Sequence, residues 1–268
     1  WADATPLGGG FGAAGANSTR CLRPYAFRTT GVARGLRHHP MVSPDDALAA
    51  LRDHADAPRA AEMAAYHKVS REYLGVSNAT TGALANEWRK AAPDQAALVA
   101  LADGLWASNI FEARIAAGKL FVHARMRPDD AHAWGWIVRT VAAFDSWAIA
   151  DAVAQGGQKR LAQDPGRLNL LEEWARSNHL WTRRAAFVFA LPFCKSRHPS
   201  PVETAARARV ISWADHLADD PEWFVQKAIA WWLRDLSKRD PVTVAAWLEE
   251  HGARLKRFAR KEAARYLD

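Results

Sequence analysis

Two cysteines, Cys21 and Cys194, are too few for a disulfide framework, and neither belongs to a CxxC pair that could seat structural zinc. The histidines form no HExxH motif and no other ligand spacing, so neither a metal nor any other cofactor is expected. Such sparing use of cysteine fits a reducing cytoplasm. No apolar run approaches the roughly 18 residues needed to span a bilayer, so the chain is expected to be soluble, without a membrane partner. Alternating apolar and polar stretches of the strand type are missing as well.

What is present fits one large helical domain. The 268 residues are 49% hydrophobic and 24% charged, a globular balance. Lys and Arg number 36 against 29 Asp and Glu, a net charge of +7. That excess suits a polyanion, because each neutralised phosphate releases condensed counterions, but it also fits any basic soluble protein. Trp outnumbers Tyr by 13 to 4. Most of these indoles are expected in the core, leaving some as stacking surfaces.

Residues 1 to about 42 stand apart. They are rich in Gly, Ala, Ser, Thr and Arg, hold one acid, Asp3, and show no sustained apolar period. Such a segment buries too little surface to offset its ordering entropy. Gly10, Gly12 and Gly15 formally match GxGxxG, but no strand precedes them and Pro24 interrupts the residues after them, so the match is read as coincidence. The Arg-rich, acid-poor composition also resembles an organelle transit peptide. The expectation adopted is a disordered or spurious leader over 1–42, with the folded domain spanning 43–268.

From Ser43 onward the chain reads as successive helices. Ser43-Pro44 pairs an N-cap with a first-turn proline, and the signal recurs at Arg127-Pro128, Asp164-Pro165, Ser200-Pro201, Asp220-Pro221 and Asp240-Pro241. Helices of roughly 12 to 18 residues with short connections predict an all-α solenoid of HEAT-like pairs, a plain helical bundle being the alternative.

Three helices carry more than packing explains. In Pro221–Lys238, Val225, Ile229, Trp232 and Leu236 form a core-facing stripe, while Lys227, Trp231, Arg234 and Lys238 form a second one. An indole among cations suits nucleic acid, although Trp231 could equally cover a neighbouring helix. In Asp145–Gln155, Trp147 and Asp151 project from one face at i,i+4, with Ile149 and Val153 opposite. A carboxylate beside an indole suits a developing cation; a surface acid beside a packed ring is the plainer reading. Leu180–Phe193 is apolar beyond Ala185, and Arg183 and Arg184 at its start are expected to reach out toward phosphates, unless they bridge to a neighbouring helix.

In this order these elements resemble the DNA alkylation repair family of the AlkD type. The similarity runs from Met63–Lys68 and Tyr73–Val76 through Leu105-Trp106, Glu112–Arg114, Trp147–Asp151 and Trp181–Ala186. It ends with Phe224–Arg234 and Arg260–Ala263, so that it covers roughly residues 58–268. The resemblance implies a curved solenoid that grips duplex DNA and a glycosylase that releases alkylated bases without flipping them into a pocket. It places the catalytic carboxylate on Asp151 and the site tryptophans on Trp147 and Trp231. The site tyrosine falls on Tyr66 and a DNA-backbone arginine on Arg184. Arg183, Lys227 and Arg234 are the further DNA-binding candidates. Family members often read Trp-Asp-x-x-Asp, whereas Ala148 follows Trp147 here. An alternative register would put Asp145 on the first acid and leave no catalytic carboxylate; the register with Trp147 and Asp151 is preferred because it keeps ring and acid on one face.

One carboxylate suits the implied reaction. Glycosidases ordinarily use two, one to protonate the leaving group. A purine alkylated at N3 or N7 already carries positive charge and leaves as a neutral base, which removes the need for the acid. The expected partner is duplex DNA carrying alkylated bases, bound by a monomer in the cytoplasm. The competing expectations are a catalytically inactive HEAT-like DNA binder and a helical protein–protein scaffold.

Overall fold

The computed structural model describes residues 42–267 apart from residue 124. The expectations for the leader and its GxGxxG match therefore lie outside the described residues, Val42 excepted. The helices are α1 (Pro44–Arg52), α2 (Ala57–His67), α3 (Asn78–Ala91), α4 (Gln95–Ala107), α5 (Phe111–Lys119), α6 (Ala131–Val141) and α7 (Trp147–Gln163). They continue as α8 (Leu168–Ala175), α9 (Leu180–Phe189), α10 (Leu191–Lys195), α11 (Pro201–Leu217), α12 (Trp223–Ser237), α13 (Pro241–His251) and α14 (Arg257–Ala263). No strand occurs among the described residues. The chain is all-α, and none of its described helices is long and apolar enough to cross a membrane.

Capping chemistry sets several starts. Ser43 accepts from the Asp46 amide at 3.1 Å while the Asp46 carboxylate accepts from the Ser43 amide at 3.3 Å, closing a capping box on α1. Ser200 and Glu203 do the same for α11, and Asp240 caps α13 through the Thr243 amide. Elsewhere the proline lies ahead of the α-helix. Pro165 opens a 3-10 turn that runs into α8, Asp220-Pro221 precedes the Glu222 cap of α12, and α6 begins only after Asp130. Two other extents differ from expectation. α7 runs on to Gln163, and Leu180–Phe193 divides into α9 and α10 at Ala190. Pro192 has no amide to donate to the Val188 carbonyl, which instead accepts from the Gln158 side chain at 2.8 Å.

The helices stack as pairs. α4 packs on α5, α6 on α7, α8 on α9 and α11 on α12. The second members form a continuous row in which α3, α5, α7, α9, α12 and α14 each pack on the next. Within it α5 and α7 approach closely: a Cβ on Gly118 would lie 2.8 Å from the Val153 amide nitrogen, so only glycine permits this contact. Between the layers Trp136, Trp232, Phe111, Phe121, Phe144, Phe187 and Phe189 are fully buried. Ile149 and Val153 of α7 are buried as well, which turns the opposite face, with Asp151 and Gln155, toward solvent.

Candidate active site

Trp147 is the first residue of α7, and the fold sets it against residues some eighty positions earlier. Its ring meets the edge of Tyr66 at 6.3 Å between centroids and lies 5.3 Å from His67. His67 also contacts Phe111, the first residue of α5, at 4.5 Å, and lies parallel to Tyr73 at 6.3 Å. Tyr66 is 71% exposed, so the cluster runs from a buried aromatic floor to an open rim. Burial pushes the His67 pKa below its ordinary value, and its buried Nδ1 has no hydrogen-bond partner among the described residues.

The turn beneath this cluster is tied down from α5. Glu112, fully buried, accepts from the amides of Leu74 at 3.0 Å and Gly75 at 2.8 Å. Gly75 has φ +80°, which an L side chain rarely adopts. These bonds fix the stretch of chain after Tyr66 and His67, and hence the rim of the site.

One turn into α7, Asp151 faces α9. Arg184 donates to both of its oxygens, Nη1 to Oδ1 at 2.6 Å and Nη2 to Oδ2 at 3.1 Å. The bidentate fork fixes the plane of the carboxylate. The Arg184 side chain is 5% exposed and that of Asp151 26%. This corrects the expectation that Arg183 and Arg184 reach outward. Arg184 lies on the face of α9 that packs on α7, and a guanidinium so placed requires a partner. Arg183 turns the other way, donating to Asp220 at 2.7 Å and to the carbonyls of Ser177 and Asn178. Bridging to neighbouring elements, the plainer reading of both arginines, is what the fold contains.

Trp231 stands one helix further along the row, on α12, partly buried against the core, its indole donating to Asp235 at 3.2 Å. The cationic stripe beside it is not bare. α14 brings Glu262 to Lys227 at 3.9 Å and into an ion pair with Arg234, while Asp235 pairs with Arg234 at 3.2 Å and Lys238 at 3.3 Å. Lys238 also lies 4.5 Å over the Tyr266 ring. Asp145, the alternative acid, precedes α7 and is held by Arg71 and by Arg114 at 3.7 Å.

Two residues inside the matching stretches are not singled out by the sequence as site residues. His67 joins Tyr66, Phe111 and Trp147, although only its neighbour Tyr66 stands out in the family pattern. Trp181, one turn before Arg184, packs on Phe224 at 4.7 Å, extending the aromatic lining toward α12.

A family model described as "DNA alkylation repair enzyme" matches residues 47–267. No curated protein matches the chain. Among solved structures, a predicted DNA alkylation repair enzyme from Enterococcus faecalis superposes with a TM-score of 0.68 at 21% identity, covering 80% of this chain and 97% of that one. AlkD2 from Streptococcus mutans superposes with a TM-score of 0.55 at 19% identity, covering 79% and 99%. The protein smu.31 from Streptococcus mutans UA159 gives 0.55 at 22%, covering 70% and 92%.

Proposed function

The chain belongs to the DNA alkylation repair enzyme family, and on that premise we propose that it is a DNA glycosylase that hydrolyses the N-glycosidic bond of N3- or N7-alkylated purines in duplex DNA. The observation that carries this reading is the single carboxylate of Asp151, gripped at both oxygens by Arg184 on a helix face that opens with the Trp147–Tyr66 aromatic pair.

A cationic alkylpurine is its own leaving group. As its bond to C1′ breaks, the electron pair passes to the purine ring and cancels the positive charge. Water adds to C1′ of the oxocarbenium-like sugar and its proton passes to the Asp151 carboxylate. The products are an abasic site and a neutral free base. Asp151 stabilises the sugar cation electrostatically and orients the water, and Arg184 keeps the carboxylate in position. The faces of Trp147 and Trp231 add attraction to positive charge, about 0.5–2 kcal/mol each. An exposed Tyr66 and a part-exposed Asp151 suit a reaction at the duplex surface, without a base drawn into a pocket.

The test is to incubate the protein with a duplex containing one N7-methylguanine and follow free base by chromatography together with alkali-labile abasic sites. Release above the rate of spontaneous loss is expected. The second reading, an inactive binder of damaged or branched DNA, draws on the same ion pair, since Arg184 occupies both Asp151 oxygens. Binding without release would select it, and absence of both would remove DNA repair from this site.

A further inference from the structure

A glycine inside a helix weakens it, and Gly82 sits in the middle of α3. No backbone presses on it. A Cβ there would instead lie 3.2 Å from the ammonium of Lys119, which reaches across from the end of α5 and donates to the Asn78 carbonyl at 3.3 Å. The missing side chain makes room for a cation. Burial pushes the Lys119 pKa down, so the charge is held there against its solvation preference.

Lys119 lines a cavity of about 280 Å³ together with Arg89, His123 and Gln155. Arg89 and His123 also line an adjoining cavity of about 300 Å³, to which Arg125 and Arg127 contribute. Among the described residues no carboxylate lies within 4.0 Å of the charged nitrogens of Arg89, Lys119, Arg125 or Arg127. Asp94, which borders the second cavity, is engaged in capping α4 through the Ala97 amide at 2.8 Å. The buried Nδ1 of His123 has no hydrogen-bond partner among the described residues, and its pKa is lowered by burial and then by the charges of Arg89 and Arg160. Arg71, Arg114, Arg183 and Arg184, by contrast, each have an acidic partner. Like charges collected without a counterion repel, and an anion with several acceptor oxygens relieves that repulsion.

We propose that this cleft between α3, α5 and α7 binds a DNA backbone phosphate on one flank of the lesion, with Lys119 and Arg89 as its principal contacts. This rests on the reading that duplex DNA lies across the face bearing Asp151. Gln155 is one turn after Asp151 on the exposed stripe of α7, a rise of about 6 Å, and α5 lies about 8–10 Å to the side. The phosphate therefore sits roughly 10–15 Å from the Asp151 carboxylate, which is about two to four nucleotides, since the axis advances about 3.4 Å per step and winding sets successive phosphates further apart than that.

The experiment measures duplex affinity by fluorescence anisotropy across a salt series for the wild type, Lys119→Met, Arg89→Ala and the control Lys119→Arg. Each loss of a cation should weaken binding by about 5- to 10-fold and flatten the log–log salt slope by about one unit, while Lys119→Arg keeps the slope. Neutral methylphosphonates are then placed singly at two to six nucleotides on either side of the lesion. One position, about two to four nucleotides away, should weaken the wild type and leave Lys119→Met unaffected. Inorganic pyrophosphate at fixed ionic strength separates the two sources of phosphate. If it raises the melting temperature of the wild type but not of Lys119→Met, while duplex binding ignores both variants, the site takes a free anion and the proposal is overturned. Wild-type slopes in both variants overturn it as well, leaving the function intact. A wild type that does not bind duplex DNA at all overturns the proposed function and this inference together.

Discussion

Replacing Asp151 by Asn tests the centre of the proposed chemistry, because its effects on melting, excision and binding should separate. The amide keeps the shape of the side chain and can accept one hydrogen bond, but it cannot neutralise Arg184, whose guanidinium is buried on the α7-facing side of α9. Breaking a fully buried ion pair costs about 3–5 kcal/mol, and the partial exposure of Asp151 lowers this to about 2–4 kcal/mol. For a domain of this size that is a fall in melting temperature of about 4–16 °C. Excision of N7-methylguanine should drop by at least about 100-fold, the scale of losing one electrostatic contact to developing charge. Duplex affinity should hold or rise, since the substitution removes a negative charge from the face proposed to meet DNA. Arg184→Gln reverses that part: it leaves Asp151 unoriented, so excision falls, and adds an unpaired negative charge, so binding weakens. The double variant Asp151→Asn/Arg184→Gln should recover stability, with a coupling of about 1–3 kcal/mol in the cycle. Thermal melts, single-turnover excision and anisotropy of the four proteins give every term. A singly substituted Asp151→Asn protein that melts with the wild type and still excises would remove Asp151 from both the fold and the reaction.

The adjacent indoles of α12 should part company: Trp232→Ala, which empties a fully buried site and removes one of two hydrogen bonds to the Ala190 carbonyl, should cost about 3–5 kcal/mol. Trp231→Ala should melt much closer to wild type while slowing excision of cationic lesions more than of uncharged ones, and equal melting of the two would place Trp231 in the core. Gly118→Ala should destabilise the fold by forcing α5 off the α7 backbone, which thermal melts would register; a neutral result would deny the close approach. His67 and His123 have folded pKa values lowered by burial from 6.5, so below that value the unfolded chain takes up more protons. Stability should be full above about pH 6.5 and fall as the pH drops toward 5, and His67→Gln should flatten part of that fall. A wild-type melting temperature independent of pH between 7 and 5 contradicts it.

Some of this is legible without a structure because helices are local. Period, caps and prolines name the helices, and the all-α class comes from them. Trp147 and Asp151 share a face because an i,i+4 spacing fixes it, and Trp232 and Ile229 are buried because their stripe is apolar. Where Pro192 interrupts α9, or Pro221 precedes its helix by two residues, the local signal is right in kind and offset in place.

Charge is the property that local reading cannot settle. A cation looks free in sequence until something is known of its neighbour, and in this chain several of the deciding neighbours come from distant segments. Glu262 covers the Lys227 and Arg234 stripe from α14, Asp220 takes Arg183, and Asp151 takes Arg184 from the preceding helix of the row. Lys119 and Arg89, which have no acid within ion-pair distance among the described residues, stand on segments with no sequence sign of it, apart from one glycine in mid-helix. Helix formation depends on contacts four residues apart and is written in the sequence, whereas the pairing of charges depends on which helices the packing of the core lays side by side.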